Sequence, residues 1–213
     1  MTVRLAVSVE GPTEQEFCRN VIAPHLRQFN IYAEAKVVVT KRVISGPNFK
    51  GGAVSTDRVV NEIRPLLHSF DYVTTLYDFY RFRGREPGED ADQLCQRIAD
   101  RLANPQNLIP YVQVYEFEAL LFSAPDIVGR HFDSAEITQE MQRVLQSVLT
   151  PEQINDGEAT APSKRLQEMV RCLGGVRYDK KFHGPQISSE IGLDAIRAAC
   201  PRFAKWLQQL EAF

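Results

Sequence analysis

Five carboxylates in this chain stand where strand-like runs give out. Glu10 and Glu14 bracket a Gly11-Pro12 turn after the apolar residues 3–9. Asp78 closes the run Val73-Thr74-Thr75-Leu76-Tyr77-Asp78, and Glu116 and Glu118 follow residues 108–115. Open α/β sheets bind ligands at the carboxyl ends of their strands, so the three acidic spots would meet at one edge. Oxygen-only acids without nearby His or Cys suit Mg²⁺ or Mn²⁺ better than Zn²⁺. Two such ions about 4 Å apart would activate a water and stabilise the leaving oxygen of a phosphodiester. Simpler roles compete for each acid. Glu14 falls in a first helical turn, where the helix dipole favours an acid anyway. Asp78 can cap the turn after its strand, and one of Glu116 and Glu118, which flank Phe117, can simply face solvent. Glu10 alone has no good structural excuse.

Cations gather in three further stretches. Lys164 and Arg165 follow Pro162, which suits the first position of a helix, so that helix start and the two cations would form an anion-binding corner. Tyr178-Asp179-Lys180-Lys181-Phe182-His183-Gly184 adds three cations and two aromatics, and Arg81, Arg83 and Arg85 follow Asp78. Lys164, Arg165, Lys181 and Arg81 are the candidates for phosphate contact. Lys164 and His183 are candidates for catalysis, beside Glu10 and Asp78. Against this, a charge cluster is usually a solvated face, and a lone His is more often structural.

These residues need elements to place them. Alternation of Leu5, Val7 and Val9 with Ala6 and Ser8 predicts a strand over 3–9. A helix comes next, with Thr13 as N-cap, Glu16 completing a capping box, and Pro24 kinking it. A β-branched run predicts a strand over 35–43, and 45–54 reads as a glycine-rich loop. Helical spacing of Val59, Val60, Ile63, Leu66 and Phe70 predicts a helix over 56–70, then come a buried strand over 71–79 and a polar loop over 81–90. A helix over 92–102 and a strand over 108–115 complete a β-α-β-α-β-α-β order. That order implies a mainly parallel sheet flanked by helices. Beyond it only helical segments are predicted, at 117–123, 134–149, 162–173 and 193–211, with Asn155-Asp156-Gly157 as a turn. The expected division is an α/β core over 1–125 and a helical C-terminal extension over 126–213.

Composition narrows the setting. A net charge of −2 gives no global basic field, so any polyanion contact must be local. Cys18, Cys95, Cys172 and Cys200 form no C-x-x-C pair, which argues against structural zinc and fits a reducing cytoplasm. No signal peptide or membrane-spanning run is expected. No G-x-G-x-x-G, Walker A or G-x-S-x-G pattern supports a dinucleotide, ATPase or serine-hydrolase reading.

Taken together, VEGPTEQEF, TLYDFYRF, PYVQVYEFEALLF, INDGEATAPSKR and KKFHGPQISSEIGLDAIRAACPRFAKW resemble a bacterial family catalogued as domain of unknown function 4276. That family is similar to the Toprim superfamily, which includes OLD-type nucleases. The resemblance implies a Toprim-like fold and a Mg²⁺-dependent nuclease acting on DNA or RNA, with an ABC-type ATPase partner in phage defence. Glu10 matches the Toprim glutamate, a metal ligand or general base, and Glu14 matches the second acid of an E-G-x-x-E turn. Asp78 matches the first acid of a D-x-D pair, whose second position is Tyr80 here. Glu116 or Glu118 would then replace the missing acid. Two other readings stay open: a non-catalytic subunit docking on an ATPase, and a hydrolase of small phosphorylated nucleotides. Association into a homo-oligomer is also left open.

Overall fold

The computed structural model describes residues 2–41, 49–50, 54–80, 82–154, 157 and 159–213, with backbone only at 39–41 and 49–50. Of the glycine-rich loop expected over 45–54, only 49–50 and 54 lie among the described residues, and Arg81 and the Asn155-Asp156 pair lie outside them. The chain divides into two compact units, 1–113 with 211–213, and 114–210.

The first unit is built on a parallel sheet. Strands β1 (Val3–Val9), β2 (Ile31–Val37), β5 (Tyr72–Asp78) and β6 (Leu108–Ile109) run in the order β2-β1-β5-β6, and β7 (Val112–Gln113) also pairs with β5. All these pairings are parallel. Between β2 and β5 the short strands β3 (Val39–Lys41) and β4 (Phe49–Lys50) pair antiparallel in a sheet of their own. Residues 5–9 of β1 and 73–78 of β5 are buried throughout, as central strands covered on both faces must be.

The expected strand over 35–43 is corrected to Ile31–Val37. The preceding helical segment ends at Asn30, whose left-handed backbone (φ 60°) stops the helix and starts the strand at once. Val3 then pairs with Ile31 and Val9 with Val37, in unbroken register.

The expected capping box of Thr13 and Glu16 is also corrected. Helix α1 (Pro12–Phe17) starts two residues earlier, with Pro12 in its first turn and Gly11 as a cap without side-chain help. Glu16 instead pairs with Arg19 at 3.3 Å on the surface. Pro24 leaves the helical course intact. The turn before it widens into a π-helical segment (Cys18–Ile22) that leads into α2 (Ala23–Leu26), so the missing proline N–H is absorbed without a break.

Helices α3 (Thr56–Ser69) and α4 (Ala91–Asp100) fall where periodicity places them. The real capping box is at α4: Asp90 accepts from the Gln93 N–H at 2.8 Å, and Gln93 accepts from the Asp90 N–H at 2.9 Å. The strand expected over 108–115 is split into β6 and β7 around Pro110, which has no N–H for the ladder. Two threonines of β5 bridge the gap. Thr74 donates its hydroxyl to the Ile109 carbonyl at 2.6 Å. Thr75 donates to the Tyr111 carbonyl at 2.6 Å and accepts the Tyr111 N–H at 2.7 Å.

The second unit is helical. A 3₁₀ segment (Phe117–Ser123) is buried from Phe117 through Phe122 and forms its core. Helices α5 (Pro125–His131), α7 (Pro162–Leu173) and α8 (Lys180–Ala199) pack against it, and α6 (Ala135–Leu145) and α9 (Pro201–Glu211) follow the same helical course. The helix expected over 134–149 ends at Leu145. The one expected over 193–211 is the second half of α8 plus α9. Gly192, with φ 74°, bends α8 just before Leu193, and Pro201 opens α9.

Candidate functional site

In the first unit the chain leaves β1 for β2 on one side and later reaches β5 on the other. The carboxyl ends of β1 and β5 therefore flank the point where strand order reverses, the usual ligand crevice of an open α/β sheet. Val9 is level with Leu76 in this pair, so Glu10 leaves β1 beside Tyr77 and Asp78. Glu10 is half-buried and Asp78 is buried as the last residue of β5. Glu14, also buried, sits in the first turn of α1, where the N-terminal dipole favours its charge. Tyr77 lies beneath, its hydroxyl 2.6 Å from Ser8 Oγ. Burial pushes the Tyr77 phenol up, the Ser8 bond opposes this, and the carboxylates of Glu62 and Glu10 add to the rise. Tyr80, at the second position of the acid pair, is half-buried.

Among the described residues no three His, Cys, Asp or Glu side chains gather in a way that could hold a metal ion by themselves. That donor chemistry fits an ion such as Mg²⁺, which is commonly held through one or two carboxylates, waters and substrate phosphate. It does not fit a zinc cage. Burial pushes the thiols of Cys18, in the first unit, and Cys200, in the second, up to about 12, so neither is a ready nucleophile.

The loop after β5 is pinned. Arg97 of α4 grips Glu89 through Nε (2.6 Å) and Nη2 (2.7 Å) and donates to the Gly84 carbonyl at 3.0 Å. Arg83 donates its N–H to the Val54 carbonyl at 2.8 Å, and the Arg85 guanidinium lies 4.2 Å from the Phe79 ring centroid.

The second unit places its own candidates separately, and neither Glu116 nor Glu118 faces solvent. Tyr115, in the left-handed region at φ 55°, turns the chain just before Glu116. The Glu116 carboxylate accepts the N–H and the hydroxyl of Ser163, each at 2.9 Å. The anion at the start of α7 is therefore a side chain of the protein itself. Glu118 is fully buried and pairs with Lys180 Nζ at 3.0 Å, with the Tyr178 hydroxyl at 3.5 Å. Lys164 and Arg165 are half-buried, and Arg165 Nε holds the Thr160 carbonyl at 2.8 Å. Lys181 is exposed.

His183 has a structural task. Asp179 caps α8 by accepting the N–H groups of Lys181 and Phe182, and His183 Nδ1 accepts the Asp179 N–H at 2.8 Å. The exchange is reciprocal, as in a capping box, but His183 stands one residue beyond the usual Glu position. Burial lowers the His183 pKa, His131 lowers it further, and Asp179 opposes both. The ring is therefore neutral near pH 7, with its proton assigned to Nε2 because Nδ1 accepts. Sequence reasoning missed a remote cap of the same kind: Glu152 accepts the Arg202 and Phe203 N–H groups at 2.9 and 3.0 Å. Only Pro201, marking a helix start with nothing local to cap it, hinted at this.

The chain is similar to the C-terminal region of the Burkholderia pseudomallei OLD protein, at 14% identity and TM-score 0.46, over 99% of this chain and 100% of that one. It is also similar to the C-terminal region of the Xanthomonas campestris pv. campestris OLD protein, at 16% identity and TM-score 0.37, over 97% and 95%. No curated protein matches it. The profile described as Domain of unknown function (DUF4276) matches residues 9–211, and the chain belongs to that family.

Proposed function

We propose that this protein is a Toprim-like, metal-dependent phosphodiester hydrolase of DNA or RNA, acting in the cytoplasm with an ABC-type ATPase as partner in phage defence. The observation that carries the reading is the placement of Glu10 and Asp78 on either side of the β1–β5 switch point, with Glu14 in the adjoining helical turn. One or two of Glu10, Asp78 and Glu14 would hold Mg²⁺ or Mn²⁺ there, with waters and substrate phosphate completing its shell. The ion, when bound, supplies a lowered water pKa and charge neutralisation at the scissile phosphate. Glu10, the most exposed of the three, would take a proton from the attacking water. Pairing with Gln113 of β7 fixes Asp78 at the edge. Arg81, which follows β5 in the sequence, is assigned to phosphate contact at this edge, and Lys164, Arg165 and Lys181 to phosphate contact in the second unit. Glu116 and Glu118 are assigned to the second unit's own structure, because Ser163 and Lys180 already engage them. A cytoplasmic setting suits four cysteines that stand outside disulfides. None of the described helices is long and apolar enough to cross a membrane.

The test is cleavage of single- and double-stranded DNA and RNA with Mn²⁺ or Mg²⁺. Glu10→Gln and Asp78→Asn should each lower the rate about 100-fold or more while leaving the circular dichroism spectrum unchanged. Cleavage by both variants at the wild-type rate would sink the proposal.

Tyr80 in place of a second acid favours one other reading, a non-catalytic subunit of an ATPase complex. A stable complex with the ATPase and no ion-dependent cleavage, alone or together, would select it.

A further inference from the structure

The second unit carries a surface that the strand-end chemistry does not use. Between Pro162 and His183 six Lys and Arg residues face one Glu and one Asp, in a chain whose net charge is −2. A groove of about 480 Å³ opens there, lined by Gln167, Arg171, Gly175, Val176, Arg177 and Tyr178. Its size falls in the range of small-ligand sites. Its walls mix two guanidinium groups, an amide and an exposed apolar Val176. Some of the local cations are committed: Arg171 pairs with Glu168 at 2.6 Å, and Lys180 with buried Glu118. Arg177 and Lys181, both exposed, form no ion pair among the described residues.

An aromatic chain runs out from this groove. Tyr178 stacks on His183 at 5.7 Å and 25°, and His183 meets the edge of Phe182 at 5.1 Å and 80°. Phe182 ends the chain with 59% of its surface exposed. Its backbone is fixed in the first turn of α8 by the Asp179 cap, so a large apolar ring is held in water beside Lys181. Holding it there has no folding benefit, since burial of that ring would stabilise the fold.

We propose that this groove and Phe182 bind single-stranded nucleic acid. A base stacks on Phe182, Arg177 and Lys181 meet the flanking phosphates, and the groove takes the neighbouring nucleotide against Val176 and Gln167. Exposed rings beside unpaired cations are the usual platform for single strands, because every unpaired base offers a face to stack. A duplex keeps its bases stacked on one another and has none to give. The inference shares its ligand class with the proposed hydrolase but does not depend on the strand-end acids.

The experiment is fluorescence anisotropy of the full chain with fluorescein-labelled oligo(dT), in EDTA so that no cleavage intervenes. Phe182→Ala should weaken binding between about fivefold and a hundredfold, and Phe182→Trp should retain it. Arg177→Gln should reduce the slope of log K against log salt by about 0.7. Absence of wild-type binding, indifference to Phe182→Ala, or duplex competing as well as oligo(dT) would overturn the proposal. Because the measurement needs no divalent ion, its failure leaves the hydrolase reading standing. Conversely, unimpaired cleavage by the Glu10→Gln and Asp78→Asn variants leaves the groove standing.

Discussion

Glu116 shows how one carboxylate can satisfy a sequence pattern for one reason and a structure for another. It follows a strand and precedes a second acid, which suits an ion. Its oxygens accept both the N–H and the hydroxyl of Ser163, at the positive end of α7. Removing it leaves two buried donors without a partner. Glu116→Ala should therefore lower stability by about 1–3 kcal/mol, read as a lower thermal midpoint, with Glu116→Gln closer to wild type. An unchanged midpoint in Glu116→Ala would show that the contact contributes nothing. Glu10 and Asp78 were legible from their own neighbourhoods, because a strand end is a local property. The partners of Glu116, Glu118 and Glu152 were not, because they come from 47, 62 and 50 residues away.

The elements around the switch point differ in how they are held. β1 and β5 are fixed by unbroken parallel pairing, whereas the loop after β5 depends on the Arg97–Glu89–Gly84 contacts. The Arg97 guanidinium holds the Glu89 carboxyl below the usual carboxylate range, and burial opposes it only in part. The folded state thus binds fewer protons at this carboxyl than the unfolded state. The pair's stabilisation is complete above the unfolded carboxylate pKa and is lost as pH falls through the depressed folded value. Glu89→Gln should cost about 1–2 kcal/mol at pH 7, allowing for the partly exposed Arg97. The difference from wild type should shrink as pH falls below the ordinary carboxylate range and vanish once the folded-state carboxyl is protonated. Urea denaturation at several pH values tests this, and a penalty that persists in acid would contradict it. β1, α3, α4 and α7 were readable from periodicity and local caps. The shift of β2 was not, because the apolar run over residues 37–39 outweighs Asn30, the residue that decides where the strand begins.

At the scale of the molecule the first unit is completed by residues far along the chain. Glu211 Oε1 lies 2.6 Å from His25 Nε2, and the Phe213 ring stacks on Tyr72 at 3.8 Å and 8°. Tyr72 begins β5, the strand that ends in Asp78. Phe213→Ala should destabilise the protein by about 1 kcal/mol through the lost ring contact. Tyr72→Ala should add little to that variant, since both changes remove the same stack. Full additivity in a double-mutant cycle would show that the two rings do not interact.

By itself the sequence determined the α/β order, the position of the acids at strand ends and the helical character of the C-terminal half. Alternation, periodicity and turn residues are short-range signals, and each of these features is written within a few residues of itself. Only the tertiary structure decided which strand lies beside which, and hence that Glu10 and Asp78 flank the reversal of strand order. It also decided that Glu116, Glu118 and Glu152 face partners in their own unit. Pairing order and remote capping are set by where distant segments pack, and no local run of residues encodes that.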